Sequence, residues 1–187
     1  GSVINFISKY KNWSFLDSVN FLISFLNLKL DVPKVNDNNK YHLTKMVSKL
    51  YNKNLKISIK NNFLLYEFLQ KRFLSEDLIN FFEIGFASNS WNFISNNVAN
   101  YENIKDDLIL IGLQIKKDKN VYDRFRNRLI FPIRSISGNI LGFGARILNN
   151  EKPKYINSPE SKIFSKKNEL YGIFEFSKDR KNYVIVA

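Results

Sequence analysis

The sequence predicts a mixed α/β (α+β) fold, with a helical N-terminal half packed on a small sheet that contains a β-hairpin near residues 128–148. Three observations predict it. Up to about Gly112 the apolar residues recur at helical spacing. After about Asn120 they recur at every second position, the period of a strand. The composition, 44% hydrophobic and 15% aromatic over 187 residues, supplies a core and sets the chain apart from disordered sequences.

In SFLDSVNFLISFL, Phe15, Leu16, Val19, Leu22, Ile23 and Leu26 fall on one helix face. Ser14 is placed to cap that helix, with Asp17 reinforcing the cap. DVPKVNDNNK reads as a linker, because Pro33 breaks the pattern and the polar run after it has no period. From His42 to about Arg72, LTKMVSKLY and FLLYEFLQKR indicate one long helix or two consecutive ones. Ser75 is placed to cap a short helix in EDLINFFE, and Ser90 another through WNFISNNV. A further helix runs through NIKDDLILI and stops at Gly112.

The strands follow. In NRLIFPIR, Leu129, Phe131 and Ile133 alternate with Arg128, Ile130, Pro132 and Arg134. In NILGFGARIL, Leu141, Phe143, Ala145 and Ile147 alternate with Ile140, Gly142, Gly144 and Arg146. The Ser-Gly-Asn turn signal between them makes a hairpin. Pro132 has no N–H for a ladder, so its strand is expected to lie at an edge there. ELYGIFEF reads as a short helix, and the wholly apolar YVIVA as a buried strand. A core strand needs neighbours on both sides, so the chain is expected to be a fragment.

Net charge is +12 and the isoelectric point is near 9.7. That balance points to a polyanionic partner, either nucleic acid or an anionic membrane surface. The absence of cysteine excludes disulfides and thiolate zinc sites, and His42 as the single histidine leaves little for a His-rich metal site. No apolar run approaches the roughly 20 residues of a membrane span. GSVINFISKY lacks the hydrophobic segment of a signal peptide, and a cytoplasmic location is expected.

The densest basic feature is YDRFRNRLIFPIR. Arg124, Arg126 and Arg128 are spaced by two, so in an extended strand all three project from one face. Three guanidiniums there repel one another unless anions lie against them, and each can hold a phosphate through two parallel N–H bonds. The alternative is a solvated sheet face with carboxylate partners such as Asp123. GFGAR starts like a dinucleotide fingerprint, but the third glycine is missing and the motif lies inside a strand, so that reading is rejected. Glycines in a strand instead let a ligand or another backbone approach closely, which leaves Arg146 beside an open surface. In KPKYINSPESKIFSKKNELYG, Tyr155 offers a stacking face to an unpaired base, while Lys154 and Lys166 track phosphates as point charges. Ordinary packing for Tyr155, and a solvated loop for Lys166 and Lys167, are the alternatives.

NRLIFPIRSISGNILGFGARIL, followed by PKYINSPESKIFSKKNELYGIFEF, resembles the amino-terminal part of the polymerase core of bacterial, DnaG-type DNA primases. That family reads R-hydrophobic-FPIRD-x-x-G-x-hydrophobic-hydrophobic-GFGGR, then PKYLNSPET-x-hydrophobic-F-x-K, then LYG. Upstream, FLLYEFLQKRFLSEDLINFFEIGFAS resembles the family's helical segment, with Phe73 where a glycine is usual, and SFLDSVNFLISFLNL resembles the helix that ends its zinc-binding domain. The resemblance covers nearly the whole chain and is most specific from Asp123 onward. It implies that residues 1–39 are the remnant of the end of a zinc-binding domain plus linker. Residues 40–187 are then the amino-terminal subdomain of the catalytic core, truncated at the start of the toprim domain.

The resemblance also implies a function: a DNA-directed RNA polymerase of the primase type, a nucleotidyltransferase that makes short RNA primers on single-stranded DNA during replication. This segment is then the basic template- and nucleotide-binding groove. The residues that carry over are Arg72, Arg124, Arg126, Arg128, Arg146, Lys154, Tyr155 and Lys166; Arg134 matches the motif with a less clear role. The implied partners are single-stranded DNA, ribonucleoside triphosphates and the RNA–DNA primer hybrid, with a replicative helicase reached through regions not present here, and no membrane. Magnesium or manganese, and zinc, belong to the full-length family, and none is expected to be bound by this chain. YVIVA stops at Ala187, where the family's acidic motif, similar to VVEGYMD, begins. Nucleotidyl transfer needs carboxylate-held metals, so no catalytic residue is expected within this chain, and the chain alone is expected to be inactive. Two rivals remain: a free-standing, non-catalytic single-stranded nucleic-acid-binding module, and a membrane-surface protein.

Overall fold

The computed structural model describes residues 2–11, 13, 15–26 and 37–178. Helices α1 (Val3–Lys11) and α2 (Phe15–Phe25) pack on each other. The expected Ser14 cap lies outside the described residues. Asp17 of α2 accepts a hydrogen bond from the Ser137 hydroxyl (3.0 Å), tying this pair to the hairpin turn.

Helix α3 (Asp37–Ser58) begins inside the segment that reads as a linker. Its anchor lies downstream, where Leu43, Val47, Tyr51 and Leu55 are buried at four-residue steps. A helix nucleated there extends upstream at one hydrogen bond per residue, even through a polar run. The 42–72 region forms two helices, because Asn62 opens α4 (Phe63–Lys71) by accepting the Leu65 N–H at 3.0 Å. Ser75 caps α5 (Glu76–Phe81) as expected, accepting the Leu78 N–H at 3.3 Å.

Helix α6 (Phe93–Asn97) starts later than a Ser90 cap requires. Ser90 instead accepts the Asn92 N–H (3.2 Å), and the helix is capped from elsewhere in the chain: Asp123 accepts the Ile94 N–H at 2.8 Å. Helix α7 (Tyr101–Leu110) runs to the expected stop. Gly112 has φ +73°, and a Cβ there would sit 2.3 Å from the Pro159 ring, so both conformation and space require glycine.

The principal sheet is antiparallel with order β1 (Gly85–Ala87), β4 (Arg128–Arg134), β5 (Ile140–Ile147), β6 (Tyr155–Asn157). Strands β2 (Gln114–Lys117) and β3 (Asn120–Asp123) form a separate pair. β4 and β5 are the expected hairpin. β1 pairs with β4 only at residues 128–130, so Pro132 sits where that side of the strand is free, as its missing N–H requires. Ile130, Phe143 and Ala145 pack against Val47 and Tyr51 of α3 in one cluster. Leu129 and Phe86 join Leu55, Leu65, Leu69 and Ile79 in a second. The expected helix over ELYGIFEF is confined to α8 (Ile173–Lys178), because Gly172 at φ +84° ends the turn before it. YVIVA lies outside the described residues. No helix among the described residues is long and apolar enough to cross a membrane.

Candidate nucleic-acid interface

The three closely spaced arginines do not share a face. β3 ends at Asp123 and β4 begins at Arg128, and between them Asn127 adopts φ +49°. That left-handed residue breaks the extended geometry on which a common face depends. Arg124 donates its Nε–H to the Gly112 carbonyl at 2.6 Å, and burial pulls its guanidinium below the usual arginine range. Arg126 donates to the Asp123 carbonyl oxygen and lies over the rings of Trp91 (4.0 Å) and Tyr122 (5.5 Å). Arg128 turns inward. It is 7% exposed and donates to the carbonyls of Pro153 (2.9 Å) and Lys154 (3.3 Å). Burial, followed by the neighbouring Arg126 charge, lowers the Arg128 pKa.

The Asp123 carboxylate feels the Arg126 charge but forms no ion pair with these arginines. Its oxygens accept the Ile94 N–H and the Gln114 amide (2.9 Å), and burial raises its pKa against the lowering effect of those bonds. Among the described residues, Arg124, Arg126, Arg128, Arg146 and Lys154 have no carboxylate within ion-pair distance. Arg134 is different. It is buried and bridges Glu83 (2.7 Å) and Glu175 (2.5 Å), pinning α8 and the α5–β1 loop to the end of β4.

A second basic group forms around β5 and β6. The strand register places Arg146 opposite Tyr155. The Arg146 guanidinium lies 4.9 Å from the Phe68 ring and 5.1 Å from the Tyr155 ring, within cation–π distance of both. Its Nε is buried and has no hydrogen-bond partner. Arg72, exposed at the end of α4, lies over the outer part of Phe68 at 5.8 Å, and Lys154 approaches Tyr155 at 6.0 Å. Tyr155 is 57% exposed. It borders a cleft of about 410 Å³, shared with Phe131, Gly144, Asn157 and Lys166. Gly144 leaves the floor open, since a Cβ there would first meet Asn157 Oδ1 at 3.3 Å.

The irregular segment that carries Tyr155 is held from beneath. Arg128 fixes the backbone at 153–154, and Ser158 exchanges hydrogen bonds with Phe143, its hydroxyl accepting at 3.0 Å and its N–H donating at 2.8 Å. Lys166 follows in a loop, with its N–H donating to Glu160 at 3.0 Å and its side chain exposed.

Tyr155 and Lys166 therefore line one cleft, together with the carboxylate Glu169, while Arg146 and Lys154 stand beside the Tyr155 ring and Arg72 lies beyond, on Phe68. Arg124 and Arg126 lie in a separate group. Sequence reasoning missed Phe68, Trp91 and Tyr122, the rings on which the arginines lie. Trp91 and Arg126 are far apart in sequence, and no spacing rule links them. Phe68 had a signal, being one residue short of the buried Leu69 on an amphipathic helix.

Residues 50–177 match the family described as DNA primase catalytic core, N-terminal domain. A DNA primase from Clostridium acetobutylicum is 35% identical over 181 residues, covering 92% of this chain and 30% of that protein. The chain thus spans about a third of the length of such relatives. A DnaG primase catalytic domain solved bound to ssDNA superimposes with TM-score 0.70 at 36% identity, over 76% of this chain and 46% of that one. The E. coli primase catalytic core superimposes with TM-score 0.67 at 39% identity, over 75% of this chain and 44% of that one.

Proposed function

This chain belongs to the DNA primase family, through the N-terminal domain of the catalytic core, and we propose that it carries the cleft in which such a primase holds single-stranded template. In the whole protein the reaction is the synthesis of short RNA primers, with ribonucleoside triphosphates and the RNA–DNA hybrid as further ligands and a replicative helicase bound through other regions. The observation that carries the reading is the Arg146–Tyr155 pair. The exposed Tyr155 ring borders an open cleft with Lys166 and Glu169, Arg146 lies 5.1 Å from that ring, and among the described residues no carboxylate is within ion-pair distance of Arg146. The relative solved with ssDNA supports it.

Within the cleft, Tyr155 presents a π-face to an unpaired base, and Arg146 backs that ring. Lys154 and Lys166 take backbone phosphates, and Arg72 extends the basic rim. Arg128 acts through Tyr155, as a positioning residue that keeps the 153–155 backbone on the sheet. Trp91 with Arg126 forms a second ring-and-cation surface beside Arg124. The family's metals supply charge neutralisation for nucleotidyl transfer. The described residues bring no three His, Cys, Asp or Glu side chains together, so they do not form a site for such a metal. The part of the reaction we assign to this segment is binding and orientation of the strand.

Fluorescence anisotropy with a labelled single strand tests the reading. With about four to six phosphates neutralised, log affinity should fall against log salt with a slope of roughly −3 to −4. Tyr155→Ala should weaken binding by about 1–3 kcal/mol with the slope unchanged. Lys166→Ala should make the slope less steep by about 0.7. A flat salt response, or preference for duplex, overturns the proposal.

A further inference from the structure

The outward face of α3 carries charge of one sign only. Lys45, Lys49, Lys53 and Lys56 are all exposed, and Lys60 follows in the next turn. At 100° and 1.5 Å per residue, the four helical lysines fall within an arc of about 80° and span about 16 Å. That arc lies on the far side of the helix from the buried Leu43, Val47, Tyr51 and Leu55. No Asp or Glu occurs from Asn38 to Asn62. An ordinary solvated helix face alternates sign, because like charges at four-residue steps destabilise it.

Lys49, Lys53, Lys56 and Lys60 border a trough of about 710 Å³. Its single carboxylate, Glu83, is engaged by Arg134 at 2.7 Å. Lys56 and Lys60 also line a second groove, of about 450 Å³, which runs between α3 and α4 past Gln70 and Glu76. Gln70 is two residues from Arg72, and Arg72 shares Phe68 with Arg146. Lys56 and Lys60 therefore stand at one end of this groove and Arg72 follows the end of α4, between the ridge and the ring pair of Phe68 and Tyr155.

We propose that the α3 ridge is a second surface for nucleic-acid backbone, engaged by the part of a strand that extends beyond the cleft. The proposal rests on the cleft reading above. Two features select this ligand. The cations are spread over too great a length for one small phosphate compound, while a polymer spans them. A helix lying on a bilayer needs a free apolar face beside its lysines, and the apolar face of α3 is buried in the core.

The test compares oligothymidylates of roughly eight and roughly 25 nucleotides, one covering the cleft and one reaching past it. The variant is Lys49→Gln, Lys53→Gln, Lys56→Gln, which keeps helix propensity and leaves the cleft intact. A matching melting curve shows that it is folded. The variant should bind the short strand as the parent does and the long strand severalfold more weakly, with a salt slope less steep by about 2 on the long strand only. Unchanged long-strand binding, or equal loss at both lengths, overturns the ridge. So does binding to phosphatidylserine vesicles that the variant loses while the length effect is absent. Tyr155→Ala, run alongside, reports on the cleft: a short strand bound normally by that variant refutes the cleft reading, whereas the ridge is judged by the difference between lengths.

Discussion

Replacing Arg128 with methionine removes a guanidinium fork and keeps an apolar stem at a position 7% exposed. The change deletes a 2.9 Å hydrogen bond to the Pro153 carbonyl and a longer one, 3.3 Å, to Lys154. Bonds involving a charged group contribute about 1.5–3 kcal/mol each, and counting the longer one at half gives about 2–4 kcal/mol. Pro153 and Lys154 are exposed, so water replaces part of what the carbonyls lose, and relief of the buried charge offsets more. The expected loss is therefore near the low end, about 2 kcal/mol, or about 4–8 °C in melting temperature for a chain of this size. Circular dichroism melts measure it, and anisotropy titrations across salt measure the rest. Arg128→Met should weaken binding by loosening the Tyr155 segment while leaving the salt slope unchanged. An unaltered melting temperature with a slope less steep by about 0.7 would mean that Arg128 contacts phosphate directly, and would refute the inward-turned reading.

Phe73 holds φ +52° at 88% exposure, a backbone conformation that glycine adopts without strain. Phe73→Gly releases about 1–2 kcal/mol of left-handed strain against about 0.5–1 kcal/mol of added chain freedom, so chemical denaturation should show a gain, and a loss contradicts the strain. Arg134→Met leaves the Glu175 carboxylate buried without its partner and should cost about 3–5 kcal/mol, much of it recovered by adding Glu175→Gln; a near-neutral single variant would show that the bridge does not hold α8. Gly144→Leu projects a side chain into the cleft with its Cβ 3.3 Å from Asn157 Oδ1, a contact that the Asn157 side chain can relieve by a small shift, so single-strand affinity should fall with little change in melting temperature; normal affinity would place the strand elsewhere.

Period alone recovers much of this fold and less of the site. The hairpin was legible because two alternating runs flank a Ser-Gly-Asn turn, and Pro132 marked where its strand lacks a neighbour. Period says which residues share a face of β4, but not that both faces are covered. Arg128 therefore read as a face cation, and the role of Arg134 stayed open, although both are buried. The arginine run misled for a local reason: Asn127, a residue type that tolerates φ > 0, turns the chain between Arg126 and Arg128. Asp123, a carboxylate partner only under the alternative reading of a solvated sheet face, serves as the cap of α6, a pairing across 29 residues that no local rule contains. Tyr155, Lys154 and Lys166 were nominated together from one irregular segment and Arg146 separately from GFGAR; the strand register is what sets Arg146 beside Tyr155. What the sequence withheld was the ring of Phe68 beneath Arg146, which tertiary packing alone supplies.

Photocrosslinking tests the central claim most directly. A single strand carrying bromodeoxyuridine is bound to the chain at low salt and irradiated, and the attached peptide is identified by mass spectrometry. The account predicts attachment at Tyr155 within the 152–167 peptide region, lost when excess unlabelled single strand competes. Attachment confined to Trp91 or to α3, with none at Tyr155, would contradict it.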